Sequence, residues 1–322
     1  MSHIRPSILL LMIVFFMPAY GQKNTAFKNE FGFRSDNDSF LGIGQDRYYT
    51  NGLFISFRHA ANQGRLSEKL QKKIWEIEAG HMIFNPYTGN VSDISEVDRP
   101  FAGYLYFGGS MNWHYRNERT LKAGLQFGTI GPSARGRQVQ ETLHDLIGFY
   151  KIQGWEFQVK DETGINGSLE YTDLLARSGS GNTDLSVTGE GRIGNTFAGA
   201  SAGLIFRTGA INPLNNSVFN HSRLSNHLQD QVPGSNEFFF FMEPRLNFVA
   251  YNATIQGGMF REDKGPVTFG VKPLVFSHEI GGMYGSDRWT FQFSVTFLSR
   301  EVRSNAAAQQ FGTAKIYYRF SK

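Results

Sequence analysis

Two short polar clusters lie near the start of the chain, at residues 35–39 (SDNDS) and residues 46–52 (DRYYTNG). Their carboxylate, amide and hydroxyl oxygens are the ligands that a hard cation such as calcium takes in proteins. A cation and hydrogen-bond donors together can polarise an ester carbonyl and stabilise the charge that develops during its hydrolysis. The same composition is typical of a plain turn between strands, because Asx side chains bond to nearby backbone. The clusters alone leave both interpretations open.

The first cluster does not complete a calcium loop of the EF-hand type. Asp36 and Asp38 match the alternating oxygen ligands at the start of such a loop. Phe40 stands where a third oxygen ligand is needed, and Leu41 stands where the loop requires glycine. A calcium site in this chain would therefore draw ligands from several segments.

His144 is the residue best placed to act as a base. Residues 137–150, bounded by Gly136 and Gly148, carry apolar side chains at helical spacing, which predicts a short amphipathic helix. Gln140 and His144 are four residues apart and so share one face of it. A neutral imidazole can take a proton from water near neutral pH. The chain has eight histidines, and any one of them is more often packed or solvated than catalytic.

Residues 98–103 (DRPFAG) open a predicted strand. Proline fits there because the first residue of a strand need not donate to the ladder. Arg99 is then expected at the rim of the sheet, where a guanidinium can bind a phosphate through two parallel hydrogen bonds. An ion pair with Asp98 or with a neighbouring strand is an equally good interpretation.

Long β-strands are predicted to carry these residues. Residues 101–113, 121–128 and 288–297 alternate apolar and polar side chains, as strands do when one face meets lipid and the other a lumen. They run about ten residues or more, enough to cross a bilayer, whereas strands of soluble sandwiches usually have about five or six. Twelve strands are predicted: 26–35, 47–60, 75–84, 101–116, 119–131, 160–177, 182–194, 197–208, 236–252, 268–284, 287–300 and 311–320.

The predicted fold is therefore all-β, a twelve-stranded antiparallel transmembrane β-barrel with a short helix in an outer loop. An even strand number brings both termini to the periplasm and puts connections 36–46, 85–100 and 132–159 outside. We expect His144 to face the Asn37-Asp38 cluster across the barrel mouth. The long connections 61–74 and 209–235 would be periplasmic, where tight turns are preferred, so we expect a miscounted strand near residue 209.

Composition agrees with export to an outer membrane. Residues 1–21 predict a signal peptide, with Arg5 before an apolar run and a small-x-small site at its end, which leaves residues 22–322 as a single barrel domain. The 30 Phe, 13 Tyr and 36 Gly suit aromatic girdles and glycine-rich strands. The absence of cysteine excludes a disulfide or a cysteine nucleophile. Removal of residues 1–21 would lower the formal charge from +4 to +3. This basic balance suits the phosphates of lipopolysaccharide better than nucleic acid, and the interpretation that so small a charge carries no information is equally good.

Taken in chain order, these motifs resemble the outer-membrane lipid A 3'-O-deacylase family. The resemblance rests on Asn37-Asp38, residues 46–52 (DRYYTNG), 98–104 (DRPFAGY) and 130–132 (IGP), Gln140-x-x-x-His144 and Gly154-Trp155-x-x-Gln158. It spans most of the chain and is weaker beyond residue 200.

The resemblance implies a barrel that hydrolyses, with calcium, the ester-linked acyl chain at the 3' position of lipid A. His144 would activate water, Asp38 would help to place calcium, and Arg99 would meet a lipid A phosphate or the sugar. The implied active site consists of Asn37, Asp38, Thr50, Gln140 and His144. We expect lipid A or lipopolysaccharide as the partner, no nucleic acid, a monomer, and a site that faces the outer leaflet and the exterior.

Two other functions stay open at this point. One is an acyl hydrolase of the same fold that acts on phospholipid or another glycolipid, and the other is a non-enzymatic outer-membrane pore. A serine nucleophile is not supported, because residues 178–182 (SGSGN) lack the spacing of a G-x-S-x-G elbow.

Overall fold

The computed structural model describes residues 26–42, 46–62, 66–226 and 236–321. Twelve antiparallel strands form a closed barrel, in which each strand pairs with its neighbours in sequence and the first pairs with the last. The strands are β1 (Asn29–Asn37), β2 (Tyr49–Ala60), β3 (Leu70–Phe84), β4 (Ala102–Tyr115), β5 (Thr120–Ile130), β6 (Glu162–Arg177), β7 (Thr183–Gly194), β8 (Phe197–Ala210), β9 (Glu237–Asn252), β10 (Leu274–Gly285), β11 (Trp289–Leu298) and β12 (Gln309–Phe320). The helices are α1 (Gly136–Ile147) and α2 (Ala253–Gln256). Within the described ranges, no helix is long and apolar enough to span a membrane.

The predicted number of strands and the predicted short helix are confirmed. The main boundary difference is at β10, which begins at Leu274 rather than at residue 268. The preceding residues leave the barrel wall, because the Phe269 N–H donates to the Ile255 carbonyl and Val271 forms an isolated bridge with Val302. The predicted signal peptide lies outside the described residues.

Alternate residues of each strand face opposite sides of the barrel wall. Phe31 and Phe33 of β1 are exposed, as are Leu105 and Phe107 of β4. In an outer-membrane barrel such rows of exposed apolar side chains contact the hydrocarbon. We call this surface the lipid-facing side of the wall.

The opposite side encloses a lumen lined with buried charges that pair with one another. Arg58 donates to both Glu30 and Glu76, and Arg319 donates to Glu30 at 2.8 Å. All four side chains are almost fully buried. Because each charge has a partner, the polar interior is compatible with a stable barrel.

Residues 211–226, the plug segment, fold into the barrel at the end where β1 begins and β12 ends. Lys72 of β3 donates to the Ser222 carbonyl at 2.6 Å, and the Ser217 hydroxyl donates to Glu237 of β9 at 2.6 Å. Further hydrogen bonds join the segment to β1, β2, β5 and the β10–β11 connection: His221 with Glu30, Asn226 with Ala60, Asn220 with Thr120, and Arg223 with Ser286. The expected miscounted strand near residue 209 is therefore wrong, since β8 is followed by this plug.

Helix α1 lies at the other end of the barrel, against the lipid-facing side of β3 and β4. A Cβ atom built on Gly103 would lie 3.0 Å from the Gly136 nitrogen, and Gly103 belongs to the same row as Phe107. His81 of β3 lies 2.7 Å from the Ala134 carbonyl oxygen, just before the helix. The missing side chain of Gly103 lets the helix start in direct contact with the wall.

Candidate active site

A β-bulge in β2 presents Thr50 at this end of the barrel. Tyr49 pairs with Phe84 and Asn51 pairs with Ile83 of β3, so Thr50 is an extra residue without a partner on that strand. Bulges interrupt the alternation of a strand and re-aim a side chain. Thr50 and Asn51 therefore come to the same side of the wall.

A chain of amide hydrogen bonds holds the Thr50 hydroxyl. Asn37 and Asn51 pair across β1 and β2, and Asn37 Nδ2 donates to Asn51 Oδ1 at 2.6 Å. Asn51 Nδ2 donates in turn to Thr50 Oγ1 at 3.3 Å. Asn37 also caps the short 3-10 turn Asp38–Leu41, because its Oδ1 accepts from the Ser39 N–H at 2.7 Å. Asn37 thus positions both Thr50 and Asp38.

Asp46 is the centre of the cluster. Its Oδ1 accepts from the Thr50 hydroxyl at 2.8 Å, and its Oδ2 accepts from the Tyr150 hydroxyl at 2.6 Å. The same Oδ2 lies 2.9 Å from His144 Nε2. All of these side chains except Tyr150 are buried. One carboxylate therefore joins the β1–β2 connection, strand β2 and the segment that contains α1.

The orientation of His144 follows from its two partners. His144 Nδ1 lies 2.8 Å from the Tyr150 carbonyl oxygen, and a carbonyl only accepts, so Nδ1 carries a hydrogen. Nε2 lies against the Asp46 carboxylate oxygen that also accepts from the Tyr150 hydroxyl. The Tyr150 carbonyl and the Asp46 carboxylate thus hold the two ring nitrogens in place.

The end of α1 folds the chain back onto His144. Gly148 ends the helix with a left-handed φ of 72°, a conformation that glycine adopts without a Cβ penalty. The Phe149 N–H then donates to the His144 carbonyl at 2.9 Å. The rings of Phe149 and Tyr150 meet the imidazole edge-on, at centroid distances of 5.4 and 5.0 Å.

Gln140 lies one turn before His144 on the buried face of α1. Its Oε1 accepts from Trp155 Nε1 at 3.0 Å. Its Nε2 is buried and has no hydrogen-bond partner among the residues that the structure describes. A buried donor without an acceptor is costly, so this atom suits the oxygen of a bound ligand.

Asn85, the residue after β3, is a second buried amide without partners for its side chain within the described ranges. Gly89 lies next to Asn85, Tyr150 and Asp46, and so locates Asn85 relative to the other residues of the site. A Cβ atom built on Gly89 would lie 2.8 Å from the Tyr150 hydroxyl, 3.3 Å from Asn85 Nδ2 and 3.5 Å from Asp46 Cβ. Asn85 therefore belongs to the same cluster.

Asp38 completes the acidic part of the site. Its Oδ2 accepts from the Arg47 N–H at 2.8 Å, and its Oδ1 lies 3.3 Å from Thr50 Oγ1. Burial raises the pKa of Asp38 to about 7, the Arg47 N–H opposes this rise, and the charge of Asp46 adds to it. Because the single Thr50 proton is directed to Asp46, the charge of Asp38 is poorly compensated.

The donor set fits a hard cation. Two carboxylates, Asp38 and Asp46, lie within 3.3 Å of the Thr50 hydroxyl oxygen, and the Asn85 Oδ1 has no partner in the described chain. In the parts of the chain that the structure describes, no three His, Asp or Glu side chains converge as a metal site. A cation here would therefore also need hydroxyl, amide or main-chain oxygens, which are ligands that calcium accepts.

The structure brings together Asn37, Asp38, Thr50, Gln140 and His144, but not across the barrel mouth. Asn37 belongs to the row of Phe31 and Phe33, and α1 packs on Gly103 from the same side. The expected position of His144 is therefore wrong: the cluster lies on the lipid-facing side of the wall, between β1–β2 and α1.

Arg99 lies apart from this cluster in its described contacts. The guanidinium is 1% exposed, donates to the Thr254 hydroxyl at 2.9 Å and lies 3.4 Å from Glu301. Asp98 is not its partner, because the Asp98 carboxylate accepts from the Tyr48 hydroxyl at 2.8 Å. Phosphate binding by Arg99 stays a prediction.

Sequence reasoning did not assign roles to Asp46, Tyr150 and Asn85. A usable signal existed for Asp46, which opens the polar motif 46–52 directly before a strand. Tyr150 reaches Asp46 only because of the turn at Gly148, which spacing alone does not reveal.

Comparison with known proteins agrees with this geometry. The profile of the family described as Outer membrane protein LpxR matches residues 8–320, and no curated protein sequence matches the chain. LpxR from Salmonella typhimurium is 20% identical, with a TM-score of 0.71 over 90% of this chain and 100% of that chain. The beta domain of the Bordetella autotransporter BrkA is 10% identical, with a TM-score of 0.51 over 92% and 100%. Since the family profile covers nearly the whole sequence, the chain belongs to the LpxR family of outer-membrane proteins, the lipid A 3'-O-deacylase family that its motifs resemble.

Proposed function

We propose that this protein is a calcium-dependent deacylase that hydrolyses the 3'-linked acyloxyacyl ester of lipid A in the outer leaflet of the outer membrane. The observation that carries the proposal is the contact of His144 with Asp46 on the lipid-facing side of the wall. A membrane lipid can reach that side by lateral diffusion, without entering the barrel. Membership of the LpxR family supports the same class of reaction.

His144 would act as the general base. The Tyr150 carbonyl holds Nδ1–H, which fixes the ring and leaves Nε2 as the atom that exchanges a proton. Nε2 would take a proton from water while the water oxygen attacks the ester carbonyl carbon. It would then return that proton to the sugar oxygen as the carbon–oxygen bond breaks. One water and one ester thus give a fatty acid and a free hydroxyl.

Asp46 would position His144. Its Oδ2 lies 2.9 Å from His144 Nε2, and the Thr50 and Tyr150 hydroxyls donate to its two carboxylate oxygens. The same carboxylate is one of the groups that would hold calcium, so it would keep the base and the cation side by side.

Asp38 and Asp46 would hold calcium, with oxygens of Thr50 and Asn85 close by. Bound calcium would supply positive charge next to the ester carbonyl, which favours the developing oxyanion. The ordering of Asp38 by the cap residue Asn37 makes Asn37 a positioning residue.

Gln140 would add a neutral donor for the same developing charge. Its Nε2 is free of protein partners in the described chain and lies on the same helix face as His144. Loss of one such donor typically lowers turnover by about 100- to 1,000-fold.

We also propose that Arg99 contacts a lipid A phosphate. This contact requires the Arg99 guanidinium to exchange Glu301 for the phosphate.

Mass spectrometry of lipid A after incubation with the purified barrel tests this function. We expect loss of the 3' acyl group with calcium, no loss with a calcium chelator, and no loss with His144→Ala or Asp38→Ala. His278→Ala, in β10, is the matched control and should retain activity. Heat-modifiable migration in gels reports whether each variant has folded.

The same assay separates the alternative substrate. Release of fatty acid from phosphatidylethanolamine, with lipid A left unchanged, would assign the site to phospholipid hydrolysis. Unchanged lipid A and unchanged phospholipid, with folded protein and calcium present, would contradict an esterase of either kind.

A further inference from the structure

Helix α1 has an apolar stripe that the described parts of the chain do not cover. Leu146 is 81% exposed and Ile147 is 53% exposed, and Phe149, just beyond the helix end, is 46% exposed. A single exposed apolar side chain is ordinary in a folded protein. Three within four residues, at one end of a short helix, are a concentration of exposed apolar side chains of the kind that marks an interaction surface.

The stripe lies beside the face by which α1 contacts the barrel. The buried residues of the helix are Gly136, Gln140 and His144, four residues apart. With 3.6 residues per turn, Leu146 falls about 120° from the middle of this buried face. Ile147 falls on the side of the buried face, but it is the last residue of the helix and is 53% exposed. The exposed polar residues Gln138 and Asp145 fall on the remaining surface.

This arrangement is the reverse of a helix in a water-soluble protein. Such a helix packs its apolar stripe on the core and exposes its polar face. Here the packed part of the helix includes Gln140 and His144 of the site beside Val139, and Leu146 and Ile147 are left outside. The medium next to the stripe is therefore expected to be apolar.

The barrel wall next to α1 indicates which apolar medium this is. Gly103, on which the helix start rests, shares its row with Leu105 and Phe107, which are 41% and 57% exposed on the lipid-facing side. The helix that carries the exposed Leu146 and Ile147 thus packs on the lipid-facing side of the wall. The hydrocarbon that covers the wall is the occupant that matches both surfaces.

We propose that α1 is an interfacial helix, with Leu146, Ile147 and Phe149 immersed in the acyl chains of the surrounding leaflet and Asp145 in water. Amphipathic helices of this type bury their apolar face to a depth of about 5–10 Å. His144 precedes the stripe by half a turn, so the helix would hold its imidazole at the level where acyl chains meet their head groups. The proposal concerns contact with lipid and does not depend on which reaction the site catalyses.

The chain has no cysteine, so a single introduced cysteine can carry a polarity-sensitive fluorophore. Leu146→Cys and Asp145→Cys are consecutive positions on different faces of α1. Each labelled full-length barrel is reconstituted into phosphatidylcholine vesicles with plain or brominated acyl chains. Phe107→Cys, on the barrel wall, serves as the lipid-exposed reference.

We expect the Leu146 label to lose about half or more of its emission in brominated vesicles and to resist aqueous iodide, as a helix buried to the acyl boundary requires. The Asp145 label should show the opposite pattern. A Leu146 label that iodide quenches as strongly as the Asp145 label, without bromine quenching, would overturn the proposal. Ile147→Cys repeats the measurement if the first substitution prevents folding, and none of these readouts uses enzymatic activity.

Discussion

His144 Nε2 and Asp46 Oδ2 lie 2.9 Å apart, although 98 residues separate them in the chain. The contact joins the helix that follows β5 to the connection that precedes β2. Asp46 contacts the imidazole nitrogen that we propose as the base, and it is also one of the carboxylates that would hold calcium. The pair therefore offers the most direct test of the site.

Replacement of Asp46 by Asn should abolish most of the deacylase activity. Asn replaces the carboxylate that contacts His144 Nε2 with a neutral amide, and it removes one of the two carboxylates that would hold calcium. We expect a loss of about 100-fold or more in turnover, measured as acyl release by mass spectrometry. Asp145→Asn, one residue from His144 but exposed, is the matched control and should stay close to wild type. Equal activity of both variants would remove Asp46 from the mechanism.

Tyr150→Phe should have a smaller effect. The substitution deletes the hydroxyl that donates to Asp46 at 2.6 Å and keeps the carbonyl that holds His144. A hydrogen bond to a charged group contributes about 1.5–3 kcal/mol, so we expect activity to fall by about 10- to 100-fold. Tyr87→Phe, at an exposed tyrosine, should leave acyl release unchanged. A Tyr150→Phe variant as active as this control would show that the hydroxyl plays no part.

Gly89→Ala should reduce activity without unfolding the barrel. The new methyl group would lie 2.8 Å from the Tyr150 hydroxyl and 3.3 Å from Asn85 Nδ2, so both groups must move. Displacement of a catalytic group by about 1 Å can lower a rate by about 100-fold. Gly179→Ala, where no atom lies within 4 Å of the new methyl, is the control. Normal heat-modifiable migration with unaltered acyl release would show that the cluster tolerates the shift.

The plug segment should keep the barrel closed to ions. Planar-bilayer recordings of the wild type are expected to show no conductance steps, because hydrogen bonds join residues 211–226 to strands around the barrel. A variant in which a short Gly-Ser linker replaces residues 213–225 should conduct. His144→Ala retains the plug and should be silent. Steps from the wild type would support the pore interpretation instead.

The strands were predictable because the two media on either side of the barrel wall impose a two-residue alternation of apolar and polar side chains. Lipid on one side and a polar lumen on the other force alternation over ten or more residues, so β4, β5 and β11 stand out in the sequence. The helix was predictable for a similar reason, since Leu143, Leu146 and Ile147 recur at helical spacing. Val139 packs against the buried cluster around Trp155, however, whereas Leu146 and Ile147 are exposed. Spacing carries no information on what covers each apolar residue.

Periodicity could not predict the plug segment, nor the side of the barrel wall on which His144 lies. Residues 212–226 (NPLNNSVFNHSRLSN) have the composition of an exposed loop, but the lumen is itself polar and satisfies the segment with hydrogen bonds. The position of His144 depends on the close approach of Gly136 to Gly103. That approach is a tertiary contact between segments far apart in sequence, which no local pattern encodes.

The extra residue in β2 has a consequence for how relatives of this protein could diverge. Since Thr50 exists as an outward residue only through the bulge between Tyr49 and Asn51, deletion of one codon there would restore regular alternation and move the preceding loop by one position. Asp46 would then lose its fixed distance from His144 while every strand kept its pairing. An inactive but fully folded relative could thus arise by a single-residue gap rather than by a substitution in the site.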